Sequence, residues 1–406
     1  MSSPPPQPSP IAACSFCSKP RYDVATLISG EGGYICDGCI RHCADILNGD
    51  APEAAPTIES PRALLEHLSS RLIGQEAAKR QLAVSVFHHQ YGKRGAGSSR
   101  LLRKQNLLFL GPTGSGKTYM MQSLAKSLNI PMVTVSATAY TQTGYVGDEV
   151  ESMLRYLLER CDNNIERAES GIVFIDEIDK IATTGSGPSE TQFRDVSGAG
   201  VQQDLLTMME GTVVRLPAGG GPRHLTQDFI EIDTSNIMFV ASGAFVGIED
   251  IVEQRLYEKT KGESDEPEDE HLKRQENKLR QQVLIEDLIE FGLLPEFAGR
   301  FAAYVPFDHL LIDDLLAILR NPNGSPVCEY QRYFQAYGVE LVVDEGALLA
   351  LAEQAEALAT GARGLRSIVD RCFRDVLFEL PEWRGVRRVV FGRDAALGTR
   401  EPGLEH

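Results

Sequence analysis

The chain has 406 residues, 42% hydrophobic and 24% charged, the composition of an ordinary globular protein with room for two or three domains. Its formal net charge of −17 makes nucleic acid an unlikely partner, because phosphate contacts need basic stripes; only a local basic groove stays open. No apolar run reaches the ~18 residues of a membrane span. The opening Met1-Ser-Ser-Pro-Pro-Pro lacks the basic and apolar regions of a secretory signal, so a cytoplasmic protein without membrane contact is expected.

Residues 1–12 are proline-rich and are expected to be disordered. Next come Cys14-Ser-Phe-Cys17 and Cys36-Asp-Gly-Cys39, two C-x2-C pairs with 18 residues between them. That spacing predicts a closed four-cysteine zinc site, structural because no ligand position is left for water. A module over 13–50 is too small to fold on its own core, so the metal would contribute folding energy. Cys43, one helical turn beyond Cys39, reads as a packed thiol, and Cys161, Cys328 and Cys372 as buried small residues. Pro, Ala and acidic residues over 51–62 mark a linker.

An amphipathic helix is expected from Pro61, opening a main domain over 63–309. Within it, Asn106-Leu-Leu-Phe-Leu110 reads as a buried strand, and Tyr119 onward as a helix. Between them lies Gly111-Pro112-Thr113-Gly114-Ser115-Gly116-Lys117-Thr118, which has the form of a phosphate-binding loop. Glycines let backbone N–H groups close around phosphate oxygens at a helix N-terminus. Lys117 would reach the β- and γ-phosphates of ATP, and Thr118 would ligate Mg²⁺.

Downstream, Ile172-Val-Phe-Ile is a second buried strand, ending in Asp176-Glu177. Asp176 is then placed to hold Mg²⁺, and Glu177 to polarise the attacking water. The bland alternative is an acidic pair capping a helix that begins at Ile178. The run over 257–280 is strongly polar and is expected as a solvated insertion loop. Residues 310–392 alternate helical patterns (310–319, 347–359, 365–380) with short strands (339–343, 388–391), predicting a small α+β lid domain. Residues 393–406 are expected as a tail; Leu404-Glu405-His406 looks like the remnant of a histidine tag and is left out of the fold expectation. The fold class is therefore α/β, with a parallel sheet in the large domain.

With these residues in view, the chain resembles the ClpX family of zinc-containing AAA+ protein unfoldases. The resemblance rests on the cysteine pairs, Leu72-Ile73-Gly74-Gln75-Glu76, Gly111 to Thr118, Gly144-Tyr145-Val146-Gly147, Ile172 to Lys180, Arg194 to Gly198, Gly200 to Gln203, Phe291 to Phe297, Gly299-Arg300, and Gly361 to Ile368. It implies a homo-hexameric AAA+ ring that unfolds proteins with ATP, Mg²⁺ and Zn²⁺. Tyr145 and Val146 would line the central pore and grip the substrate. Ile73 and Gly74 would hold the adenine. Arg300 would be the arginine finger for the neighbouring subunit, and Arg363 the sensor-2 arginine on the small domain. The zinc module would help to collect substrates or adaptors.

Three departures from the family pattern concern partners rather than the ATP machinery. Members that feed the ClpP peptidase carry an apolar-Gly-Phe tripeptide on an exposed loop, and none occurs here between Val246 and Phe291. Docking of ClpP is thus in doubt, because an aromatic anchor in an apolar cleft is not replaced by acids. Pro222-Arg223-His224 stands where Arg-Lys-His is usual at the pore entrance, and Ala199 where Glu is usual in the second pore loop. The resemblance implies either the specificity subunit of a Clp protease or a stand-alone remodelling chaperone. A nucleic-acid-directed AAA+ motor and a non-hydrolysing nucleotide-binding scaffold are remote alternatives.

Overall fold

A computed structural model describes residues 13–17, 20–21, 24, 26–30, 33–40 and 43 of an N-terminal unit spanning 1–57. Of a second unit, spanning 58–406, it describes 60–91, 104–140, 149–183, 196–217, 229–260, 269–322, 324–358 and 360–406. The expected disordered tail over 1–12, and residues 51–59 of the linker expected over 51–62, lie outside the described residues; Ser60 caps and Pro61-Arg62 begin a helix.

In the N-terminal unit, β1 (Leu27–Gly30) pairs antiparallel with β2 (Gly33–Cys36), Leu27 opposite Cys36 and Gly30 opposite Gly33. A two-stranded hairpin is marginal in water unless something covers a face. Here Ile28 and Tyr34 are exposed, and among the described residues of this unit only Cys14 and Cys36 are buried. Among the described residues, apolar burial therefore does not hold this hairpin; the cysteines cluster at its base.

The second unit is built on five strands: β3 (Asn106–Leu110), β4 (Met132–Ser136), β5 (Ile172–Asp176), β8 (Met238–Gly243) and β9 (Phe301–Pro306). Their order is β4-β5-β8-β3-β9, and every neighbouring pair is parallel. All of β3 and β8 is buried. Parallel strands connected by helical crossovers are covered on both faces, which is why these runs are apolar throughout rather than alternating. The pleat still sorts them. Leu108, Val173, Ile175, Phe239 and Ala241 join one core, with Leu154 and Leu157 of helix 152–160 and Leu205 of helix 196–210. Leu107, Phe109, Phe174, Met238 and Val240 join the other, with Leu64 and Leu68 of helix 61–71, Leu82 of helix 76–91 and Met121 of helix 117–127. Helix 61–71 starts where the sequence places it, with the Ser60 hydroxyl accepting from the Ala63 N–H. A separate antiparallel pair, β6 (Val213–Pro217) with β7 (Phe229–Asp233), was not expected.

After β9 the chain enters helices 312–320, 326–336, 345–357 and 361–379, the second of them unanticipated. They pack around Leu315, Phe334, Leu351, Phe373 and Phe391. The sheet of this part is β10 (Glu340–Val343), β11 (Arg388–Phe391) and β12 (Gly403–Glu405). The expected tail over 393–406 is thus corrected. Residues 393–396 are helical and 403–405 add an antiparallel edge strand, with Arg387 donating its N–H to Glu405 O at 2.8 Å. Pairing satisfies backbone groups that β11 would otherwise leave open at the sheet edge.

The expected solvated loop over 257–280 is also corrected. Helix 248–260 runs into it, and a further helix spans 269–280; residues 261–268 between them lie outside the described set. The charges of the second helix serve the protein itself. Arg280 is 5% exposed and pairs with Glu249 and, at 3.3 Å, with Glu276. Asn277 Oδ1 accepts the His309 N–H at 2.8 Å, and Lys273 pairs with Glu356 at 3.1 Å. Asn277 and Lys273 thereby join this helix to the chain between β9 and helix 312–320 and to helix 345–357. Arg280→Ala would leave Glu249 buried without its cation, and a loss of about 3 kcal/mol of stability is expected by urea unfolding.

Candidate functional site

The register of the sheet brings its carboxyl ends to one edge: Leu110 lies beside Gly243 on one side, and Ser136 beside Asp176 on another strand pair. The loop after β3 turns there on glycines that admit no side chain. A Cβ on Gly111 would sit 2.5 Å from Phe307 O, and one on Gly114 (φ +80°) 2.1 Å from Thr360 O. The Gly114 carbonyl accepts the Ala362 N–H at 3.0 Å, so the loop is held by the start of helix 361–379.

Lys117, the first residue of helix 117–127, is buried and donates to Gly111 O at 2.6 Å and Pro112 O at 2.8 Å. Burial pulls its pKa down to about 8, against the opposing pull of Asp176 and Asp179. A buried ammonium whose hydrogen bonds go to backbone carbonyls is suited to an anionic ligand, and triphosphate oxygens supply that charge. Thr118 Oγ1 donates to Asp176 Oδ2 at 3.2 Å, bringing together two oxygen ligands suited to Mg²⁺.

Glu177 follows Asp176 in the left-handed region (φ +59°), which turns its side chain off the strand. Its carboxylate accepts from Ser136 Oγ at 2.7 Å and Thr138 Oγ1 at 3.4 Å. The capping alternative for this pair is not what is seen, since Glu177 makes no side-chain cap to the short helix 178–181. Ser136 and Thr138 were missed by sequence reasoning. Nothing local marks them, because they approach Glu177 only through the pairing of β4 with β5.

A cavity of about 610 Å³, within the range of nucleotide-sized sites, opens beside Lys117, Thr118, Asp176 and Glu177. Thr113 to Thr118, Asp176 and Glu177 form one wall, and Leu72, Ile73 and Gln75 another. Gly74 (φ +67°) packs toward Asp314 behind Ile73. Gln75, within the Leu72 to Glu76 stretch that carries the resemblance, donates to Asp308 O at 2.9 Å and accepts from the Asp308 N–H at 2.8 Å. The third wall, Ile318, Asn321, Leu365 and Arg366 beside Arg363, comes from the helices after β9.

At the N-terminus, the sulfurs of Cys14, Cys17, Cys36 and Cys39 all lie within 4.8 Å of one another. Cys14 and Cys39 sulfurs are 3.8 Å apart, and those of Cys17 and Cys36 3.6 Å. A tetrahedral zinc with Zn–S of ~2.3 Å requires sulfur–sulfur edges of ~3.8 Å, so the cluster fits the ion. Burial opposes ionisation of Cys14, but backbone N–H groups of Cys17, Phe16 and Cys36 bring its pKa down to about 6. Cys43 stands outside the set. Of the other cysteines Cys161 is buried as expected, while Cys328 and Cys372 are only half-buried.

Residues 12–49 match the family described as ClpX C4-type zinc finger, and residues 102–304 the AAA domain (Cdc48 subfamily). The chain is 40% identical over 407 aligned positions to the "ATP-dependent Clp protease ATP-binding subunit ClpX" of Borrelia duttonii (strain Ly), covering 96% of this chain and 92% of that one. The protein of the same description from Borrelia recurrentis (strain A1) matches with the same figures. The chain belongs to the ClpX family.

As a ClpX-family AAA+ protein it uses ATP with Mg²⁺ and hydrolyses it, and zinc belongs at its four N-terminal cysteines. Among the residues that the ClpX resemblance singles out, Arg363 lies in the cavity wall. Arg300 does not. It immediately precedes β9, at the opposite edge of the sheet from the loop. Tyr145, Val146, Arg223 and His224 lie outside the described residues. No described helix is long and apolar enough to cross a membrane.

Because Lys117 has a pKa of about 8, a bound triphosphate should restore its proton above that pH. Affinity for a slowly hydrolysed ATP analogue should then fall between pH 8 and 9, by up to about tenfold for one linked proton. Calorimetry at pH 8.5 in buffers of different ionisation enthalpy should register proton uptake on binding.

Proposed function

We propose that this protein is an ATP-driven unfoldase working as a homo-hexameric ring, in which hydrolysis between subunits moves protein substrates through a central pore. Lys117 and the loop over 111–118 hold the phosphates, and Thr118 and Asp176 hold Mg²⁺. Glu177, steadied by the hydroxyls of Ser136 and Thr138, orients and deprotonates the attacking water. Arg363 reports the phosphate state to the lid domain over 310–392. Tyr145 and Val146 grip the moving polypeptide, with Arg223 and His224 at the pore entrance. The zinc module gathers substrates or adaptors, and the whole works in the cytoplasm, where ATP is available.

The observation that carries the assembly is the position of Arg300. It lies across the sheet from the cleft of its own chain, a strand of five residues or ~17 Å away. A guanidinium there serves transition-state charge only at a cleft supplied by another subunit, which makes hydrolysis depend on the ring. Glu177→Gln should keep nucleotide binding and lower turnover by about 100-fold or more, measured as phosphate release. Near-parental turnover would remove Glu177 from the role of base.

Two readings of the partner each have an observation behind them. The relatives from Borrelia are described as subunits of the Clp protease, which supports delivery of unfolded chains to ClpP. The absence of an apolar-Gly-Phe tripeptide between Val246 and Phe291 supports a stand-alone remodelling chaperone. Sedimentation with Mg²⁺ and a slowly hydrolysed ATP analogue, with and without the ClpP of the same organism, separates them. Co-sedimentation would establish a docking surface of another kind; a ring that ignores the peptidase would establish the chaperone.

A further inference from the structure

Arg300 is held at two points by residues outside any ATP-binding motif. The side-chain amide of Asn106, the first residue of β3, donates to Arg300 O at 3.3 Å and to Met209 O at 3.5 Å. Asn106 Oδ1 accepts the Phe239 N–H at 3.3 Å, at the start of β8. Asn106 is 5% exposed, so this amide is a buried, satisfied tie among β3, β8, the end of helix 196–210 and Arg300. One residue beyond Met209, Glu210 ends that helix, and its carboxylate accepts from Nη2 of Arg300. The backbone of Arg300 is thus fixed by Asn106, and its guanidinium by Glu210.

The pair is half-exposed on both sides, with side chains 48% and 45% accessible, so screening leaves it little value for stability. Its geometric effect is larger. A free arginine must give up most of its rotamer freedom to meet a phosphate. Engaging one edge of the guanidinium removes part of that cost beforehand and leaves Nε and Nη1 as donors.

We propose that Glu210 is the positioning residue for Arg300, setting the guanidinium for the nucleotide of the adjacent subunit. This rests on the reading that Arg300 acts in trans. Glu210 does not line the cleft of its own chain, and its effect on hydrolysis would pass through Arg300. Its place at the end of helix 196–210 also ties the arginine to the element that carries Ala199 in its first turn, where the resemblance expects the second pore loop.

Glu210→Ala should lower kcat for ATP about tenfold, a fraction of the ~10³-fold or more that a trans arginine supplies. KM should be unchanged, and so should thermal unfolding. Glu210→Gln, which keeps the hydrogen-bond acceptor, should recover most of the rate. An unchanged or raised kcat in Glu210→Ala would overturn the proposal, the latter by making Glu210 a restraint.

Mixed rings decide where the defect lies. Glu177→Gln subunits have an intact arginine but no working site, whereas Glu210→Ala subunits have an intact site and a misplaced arginine. A mixture should therefore hydrolyse ATP faster than Glu210→Ala alone, because some intact sites receive a well-placed arginine. Simple dilution of activity would overturn the proposal. Arg300→Ala mixed with Glu177→Gln is the control. If that mixture also fails to regain activity, the trans reading of Arg300 falls; if it alone regains activity, only the role of Glu210 falls.

Discussion

Strand β3 is buried along its whole length between two parallel neighbours, and the catalytic unit depends on that constraint. A strand hydrogen-bonded on both edges and packed on both faces has one available position. Its carboxyl end opens into the glycine loop, so burial of Leu107 to Leu110 fixes the place from which the loop must turn. Its amino end is Asn106, whose amide holds Arg300 and the end of helix 196–210. One buried element thus relates the cleft at its carboxyl end to Arg300 at its amino end. The same parallel pairing sets Asp176 beside Ser136, and so supplies Glu177 with the hydroxyls that hold it.

The second requirement is that the cleft be closed by a later part of the chain. Its third wall comes from helices after β9, and the meeting point is backbone on backbone: Gly114 O with the Ala362 N–H, and glycines 114 and 361 too close for any side chain. The helix over 269–280 joins both parts through Asn277 to His309 and Lys273 to Glu356. Its polar composition belongs to this junction, which explains why a sequence rich in charges is ordered there.

The zinc module follows a different rule. Among its described residues there is almost no apolar core, and the two that are buried are themselves cysteines. Cross-links through a metal do for it what packed side chains do for the second unit. The two units reach stability by separate means, in keeping with the Pro- and Ala-rich sequence between them.

Where chemistry is contiguous in the chain, the sequence by itself was enough. The loop from Gly111 to Thr118, the strand ending at Asp176 and Glu177, and the paired cysteines each carry their geometry in local spacing, since a tight turn, a buried strand and a metal knuckle are short-range structures. Tertiary structure decided what depends on residues far apart in the chain. Ser136 reaches Glu177 only because β4 pairs with β5, and Ile318 and Leu365 reach the cleft only because the later helices fold back over it. The charges of 269–280 look solvated until Arg280 finds Glu249, and the last residues look like a tail until β11 offers an unpaired edge. The pairing of Arg300 with Glu210, ninety positions apart, is of the same kind. No local period or motif encodes such a contact, because its partners are chosen by the packing of the sheet and not by their neighbours along the chain.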